Sequence, residues 1–142
     1  MILIFVLVVK METVRKHSKK REAILEALRC AKDHPSAEML YSRLKGTYPD
    51  LSLGTVYRNL AFFINDGEIT SVGAVAGQER YDADTSPHAH FICRRCGRVL
   101  DVETPALERM DEAVECETGG RVLSHALSFT GECAECLVET AV

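Results

Sequence analysis

No stretch of this chain is long enough to cross a membrane as a helix. Its longest apolar run, Met1 to Val9, falls well short of the roughly 20 residues a helical span needs. The same run lacks the basic start and small-residue cleavage site of a secretory signal. Residues 1–10 are therefore expected to be a leader apart from the folded chain, with ordinary helix-forming sequence beginning at Met11. Tryptophan is absent and aromatics are few, so a core must rest on aliphatic side chains. There is no internal repeat and no low-complexity tract, which argues against solenoid and fibrous architectures. Also missing are the His-Glu-x-x-His motif of zinc peptidases and the His-x-Glu arrangement of deaminases. Without a nucleophile–base pair, the chain reads as a binding protein and not as an enzyme.

What is present points to two small units. A length of 142 residues allows one domain or two. A unit of about 70 residues builds only a marginal core and needs a metal, a partner chain or both. The formal charge of −4 is unevenly spread. Residues 10–60 hold 11 Lys and Arg against 6 Asp and Glu, whereas residues 61–142 hold 6 against 15. The basic half is suited to phosphates, and the acidic half to cations or solubility.

Ile24, Leu25 and Leu28 form a helical apolar stripe beside the basic run Arg15-Lys16-His17-Ser18-Lys19-Lys20-Arg21. In that run Lys19, Lys20 and Arg21 are candidate phosphate contacts. Pro35 disfavours helix at His34, and Ser36 can cap a second helix over Ala37 to Leu44. Ser52 can cap a third, ending at Gly67, with Leu53, Val56, Leu60 and Ile64 facing a core. Gly54, Thr55 and Arg58 fall on the opposite side, with Tyr57 on the flank. Strands are expected at Ile69 to Val75 and Gln78 to Asp82. Helix, helix-turn-helix and hairpin is the order of a winged-helix module, whose third helix enters the major groove of double-stranded DNA. Further on, strands at His90 to Cys93 and Arg98 to Val102, a helix from Pro105 to Gly119-Gly120 and a strand over Arg121 to Phe129 give a β-β-α-β unit. Leu107, Met110 and Val114 mark that helix, and Leu123, Leu127 and Phe129 one face of the last strand. The fold class is α+β.

Two constellations carry chemistry. Cys93-x2-Cys96 with Cys133-x2-Cys136 supplies two thiolate pairs, each able to bite one metal from a tight turn, and together they make a four-cysteine structural zinc site. Disulfides are the competing reading, disfavoured in the reducing compartment where a DNA-binding protein works. A thioredoxin-like redox motif lacks its βαβ frame. Cys30 and Cys116 lie within helical stretches and are expected to be small buried hydrophobes. The second constellation is Asp82, His88, His90 and Asp101, with His34 from the first unit. His88 and His90 alternate along extended chain and so point to one side. Imidazole and carboxylate without thiolate favour iron, manganese or zinc, and five such donors leave room for an open position.

The runs His34-Pro35-Ser36-Ala37, Ser52-Leu53-Gly54-Thr55-Val56-Tyr57-Arg58-Asn59-Leu60 and His88-Ala89-His90-Phe91-Ile92-Cys93-x2-Cys96-Gly97 resemble the ferric uptake regulator (Fur) family from about Met11 to Leu137. The resemblance implies a winged-helix DNA-binding domain over 11–83 and a metal-sensing dimerisation domain over 84–142. It implies a cytoplasmic homodimeric repressor that binds a palindromic operator. His34, Asp82, His88, His90 and Asp101 would be regulatory ligands for Fe2+ or Mn2+, and Cys93, Cys96, Cys133 and Cys136 ligands of structural Zn2+. Tyr57 and Arg58 would read bases. Aspartate at both 82 and 101 resembles the peroxide-regulon repressor (PerR) branch, in which an iron-bound peroxide oxidises a ligand histidine, here His34 or His88. A reversible iron- or manganese-responsive repressor of metal uptake genes is the alternative. An extra metal site of many iron sensors uses positions flanking the two histidines. Here these are Pro87 and Ala89, so Glu108 and His125 lack their partners, and His125 is expected to be a structural strand residue. Outside the family, a zinc hydrolase or a protein-binding zinc module remain as readings. The first lacks its motifs and the second leaves the basic half unexplained.

Overall fold

The computed structural model describes residues 18–141. The expected leader at 1–10 and the basic residues 15–17 lie outside them.

Three helices open the fold. In α1 (Lys19–Cys30), Ile24 and Leu28 sit one turn apart and are buried. In α2 (Ala37–Leu44), the Ser36 hydroxyl accepts from the Met39 amide at 3.3 Å, and Leu40 is buried. In α3 (Leu53–Asn65), the Ser52 hydroxyl accepts from the Thr55 amide at 3.1 Å. Each of these side-chain caps satisfies an amide that a helix start leaves without a partner. The core face of α3 differs from the expected one. Val56, Asn59, Leu60 and Phe63 are buried, while Ile64 is 39% exposed. Positions 56, 60 and 63 bring the Phe63 ring inward, and it buries more area than Ile64 would.

β1 (Thr70–Val75) and β2 (Gln78–Asp82) form an antiparallel hairpin, with Thr70 opposite Asp82. Its two turn residues, Ala76 and Gly77, both have positive φ, as the tight turns that match strand twist require. The main core lies between the helices and this hairpin. It includes Ile24, Leu40, Leu60, Phe63, Ile69 and Tyr81.

The second unit is built around β3 (Ala89–Cys93), the central strand of a sheet ordered β4-β3-β5. β4 (Val99–Val102) pairs with it antiparallel, placing Asp101 opposite His90. β5 (Ser128–Gly131) pairs with it in parallel. A parallel neighbour needs a crossover, and α4 (Pro105–Thr118) lies in it, capped by the Thr104 hydroxyl and ended by Gly119 at φ +70. α5 (Ala134–Thr140) closes the described chain. The small core of Val72, Ile92 and Val99 draws one of its three residues from the hairpin, so it joins the two units.

Several expectations fail here. Strand structure begins at Ser128 and not at Arg121, and Leu123 is 88% exposed. The alternation of that segment is therefore not a burial pattern of this chain alone. Met110, Val114 and Phe129 are also exposed. Cys30 and Cys116 are exposed, not buried, because both fall on the outer faces of their helices. α5 has no counterpart in the sequence reading.

Candidate metal centres

The four cysteines Cys93, Cys96, Cys133 and Cys136 come together, with one sulfur from each within 4.8 Å of every other. Cys93 ends β3, and the chain turns back through Gly97, whose amide donates to the Cys93 carbonyl at 2.9 Å. Gly97 has φ +74, and a β-carbon there would lie 3.3 Å from Val75 Cγ1. Both facts explain why glycine follows the second cysteine. Cys133 caps α5 and Cys136 lies within it. Arg95 donates to the Cys136 carbonyl at 2.6 Å, and Arg98 forms a forked pair with Glu135 at 2.6 and 2.5 Å. These two arginines fasten α5 to the turn, a role that no sequence motif marks.

The sulfur separations test the metal. Cys93 Sγ lies 3.8 Å from Cys136 Sγ, and Cys96 Sγ 3.7 Å from Cys133 Sγ. A disulfide requires about 2 Å. Tetrahedral zinc with bonds of about 2.3 Å places its sulfurs about 3.8 Å apart. The residues therefore fit zinc. The amides of Cys96 and Cys133 hold the Cys93 thiol below its usual range, while burial pushes the Cys136 thiol up to about 12.

The five N/O candidates also converge, with their donor atoms within 4.8 Å of one another. Asp82 Oδ2, at the end of β2, is the hub. It lies 3.1 Å from His34 Nε2, 2.9 Å from His88 Nε2 and 2.9 Å from His90 Nε2. Asp101 Oδ1 lies 2.8 Å from His34 Nε2. His88 Nε2 and His90 Nε2 are 3.0 Å apart. Three imidazoles aiming the same nitrogen at one point fit a cation, since bonds of about 2.1 Å put neighbouring octahedral ligands about 3.0 Å apart. The donor set is nitrogen and oxygen only, as iron(II) or manganese(II) prefers.

The ligands come from both units. His34 precedes α2, Asp82 ends the hairpin, His88 and His90 flank and enter β3, and Asp101 sits across from His90 on β4. His34 is buried and holds φ +50, a left-handed conformation costing about 1–2 kcal/mol for a residue with a side chain. His88 is oriented through its second nitrogen, which faces the Ser86 carbonyl at 2.7 Å. Metal-binding histidines are commonly held this way. His34 Nδ1 is buried without a partner. Without metal, burial raises the Asp82 carboxyl, but the hydrogen bonds of His34, His90, the Asp84 amide and His88 outweigh it and hold the group far below its usual range. The Asp82 hydrogen bond raises His34 against burial. Cavities flank the cluster, about 610 Å³ on the side of His88 and His90 and about 430 Å³ on the side of His34, Asp82 and Asp101.

On α3 Tyr57 and Arg58 are exposed, with Thr55 partly covered. Tyr57 donates to Glu38 at 2.5 Å, and Arg58 to Thr55 Oγ1 at 3.1 Å. The three basic residues of α1 separate. Lys19 is exposed, whereas Lys20 pairs with Asp50 at 2.6 Å. Arg21 donates to Asn59 at 2.9 Å and lies 4.7 Å over the Phe62 ring. The helical period puts Arg21 on the face of Ile24 and Leu28, so it fastens α1 to α3. His125 lies outside any strand and is held by Asp111 of α4 at 2.8 Å.

A winged helix-turn-helix joined to a small sheet unit, with one ligand cluster at the join and a second of four cysteines, defines a class of metal-binding DNA regulators. The chain belongs to the ferric uptake regulator family, whose pattern matches residues 12–130. It is 36% identical to the peroxide operon regulator of Bacillus subtilis over 125 residues, covering 88% of this chain and 86% of that protein. It is 32% identical to the ferric uptake regulation protein of Campylobacter jejuni, covering 85% and 79%. Among solved structures it resembles the Helicobacter pylori ferric uptake regulator, a protein with three functional metal binding sites. The TM-score is 0.78 at 26% identity, covering 86% of this chain and 82% of that one.

Proposed function

We propose that this chain is a cytoplasmic, homodimeric, metal-dependent transcriptional repressor that senses peroxide through oxidation of a ligand histidine, His34 or His88. Residues 11–83 form its DNA-binding domain and residues 84–142 its sensing and dimerisation domain. The observation that carries this reading is the convergence of five N/O donors from both domains within 4.8 Å. His34, Asp82, His88, His90 and Asp101 would hold a cation there, and with it His34 of the first domain against ligands of the second. If the closed form binds metal better, occupancy shifts the population toward it. Two copies then present their α3 helices to a palindromic operator, with Tyr57, Arg58 and Thr55 toward the bases and Lys19 toward phosphate. The apolar side chains left exposed on α4 and β5, Met110, Val114 and Phe129, supply a face for the second copy.

Cys93, Cys96, Cys133 and Cys136 hold structural zinc. The aspartates at 82 and 101, and the similarity to a peroxide operon regulator, favour peroxide sensing. Bound iron(II) supplies the electrons that activate peroxide. His34 and His88 border the cavities through which peroxide arrives, and an imidazole that gains oxygen is a poorer ligand, so His34 no longer holds the domains together. The similarity to a ferric uptake regulation protein supports the second reading, reversible control by iron or manganese.

The test is peptide mass spectrometry of iron(II)-loaded protein after near-stoichiometric peroxide, with a manganese(II)-loaded control and operator binding measured in parallel. One added oxygen on the peptide holding His34 or His88, with iron alone, together with loss of operator binding, is the expected result. Unmodified histidines with binding intact would leave reversible metal control.

A further inference from the structure

The His34 ring is held less fully than the His88 ring. His88 has its second nitrogen against the Ser86 carbonyl at 2.7 Å, but His34 Nδ1 is buried with no partner. With only Nε2 engaged, on the cluster itself, the second hold on His34 is its backbone, which is in the left-handed region at φ +50. That backbone is gripped from β2. The Tyr81 amide donates to the Pro35 carbonyl at 3.2 Å, and Ser36 bridges to Arg80. The half-buried Arg80 side chain completes the grip. Its Nε donates to the His34 carbonyl, and its Nη2 donates to the Asp33 carbonyl at 2.8 Å. Its Nη1 reaches the carbonyl of Gly97, in the cysteine turn, at 3.4 Å.

We propose that Arg80 is the positioning residue of the five-donor centre. One guanidinium binds the carbonyls of Asp33 and His34 on one side and of Gly97 on the other. It thereby sets where His34 stands relative to Asp82 and Asp101, and ties that position to the zinc turn. Arginine suits this task because its rigid fork carries several donors at once, which lysine cannot reproduce. The inference rests on the reading of His34, Asp82, His88, His90 and Asp101 as a metal centre.

The experiment uses full-length, zinc-loaded protein and follows Mn(II) binding by the electron paramagnetic resonance of unbound Mn(II). Four variants are compared: His34→Ala, Arg80→Ala, Arg80→Lys and Arg80→Ala with His34→Ala. Partners that orient metal ligands typically affect affinity 10- to 100-fold. Arg80→Ala should therefore weaken Mn(II) by about tenfold, with Arg80→Lys in between and zinc content unchanged in both. In the His34→Ala background, Arg80→Ala should have no further effect. A residue that merely stabilised the fold would cost affinity equally in both backgrounds, and that result overturns the proposal. So does wild-type affinity in Arg80→Ala or, should that variant not fold, in Arg80→Lys. If His34→Ala itself binds Mn(II) as the wild type does, the metal-centre reading fails and this inference with it. Loss in His34→Ala alone fails the inference and keeps the centre.

Discussion

The two units of this chain are held together by different forces. The helical unit has a buried core of ten residues, from Ile24 and Leu28 through Leu40, Leu60 and Phe63 to Tyr81. The sheet unit shares a core of three, Val72, Ile92 and Val99, one of which it borrows from the hairpin. Its other buried cluster is three cysteines, while Met110, Val114, Leu123 and Phe129 remain exposed. The first unit is thus stabilised mainly by apolar area removed from water. The second has little of that area, and a unit so small leans on a metal or a partner to replace it.

Removing the zinc is the strongest way to break this comparison. Structural zinc sites contribute on the order of 10 kcal/mol of apparent folding free energy. Chelation, or Cys96→Ser, should therefore unfold the sheet unit while the helical unit stands. Hydrogen exchange read by mass spectrometry should show β3, β4 and α5 exchanging fully, with α1 to α3 still protected. Equal loss of protection in both units would show that the helical core cannot stand without the zinc turn.

The same contrast explains what could be read from the sequence. The helical unit was legible because its signals are local. Ser36 and Ser52 stand at the starts of α2 and α3, and both do cap. The apolar period was legible to within one position, since Ile64 and Phe63 are neighbours and a stripe tolerates either. The cysteine pairs were legible because each closes one turn. The sheet unit was less so. Arg121 to Leu127 alternates like a strand but is not one, and Leu123, within that alternation, is 88% exposed. The parallel pairing of β5 with β3 is set by a crossover that no short window shows. The convergence on Asp82 joins residues up to 67 positions apart, His34 with Asp101. Residue types suggested this site, and the distances between units bring its residues together. Arg80 carries no motif, and its one signal is a spacing of two from Asp82 on a strand.

A smaller perturbation tests the helical side. Phe63 is 1% exposed at the centre of the core. Phe63→Ala should cost about 3–5 kcal/mol, lowering the urea midpoint of the helical unit. Zinc content should stay at one ion per chain. Loss of zinc in this variant would mean that the three-residue bridge of Val72, Ile92 and Val99 transmits the cavity across the join, and the two units would then be one cooperative body.

The finest probe is the cap of α3. The Ser52 hydroxyl accepts the Thr55 amide at 3.1 Å and lies 2.8 Å from the Thr55 hydroxyl. Ser52→Ala removes this acceptor and should cost about 1 kcal/mol, too little to unfold either unit. Its value lies in where that loss appears. If the units unfold independently, a urea titration of zinc-loaded protein should shift the helical transition, followed by Tyr57 and Tyr41 on α3 and α2, and leave the release of zinc to a colorimetric chelator at its original midpoint. If the join couples them, the same small loss moves both midpoints together. Ser52 is exposed and bonds to Thr55, so a common shift would travel through the residues that join the units: the core of Val72, Ile92 and Val99, the contacts of Asp82 and Asp101 with the three histidines, and the Arg80 side chain.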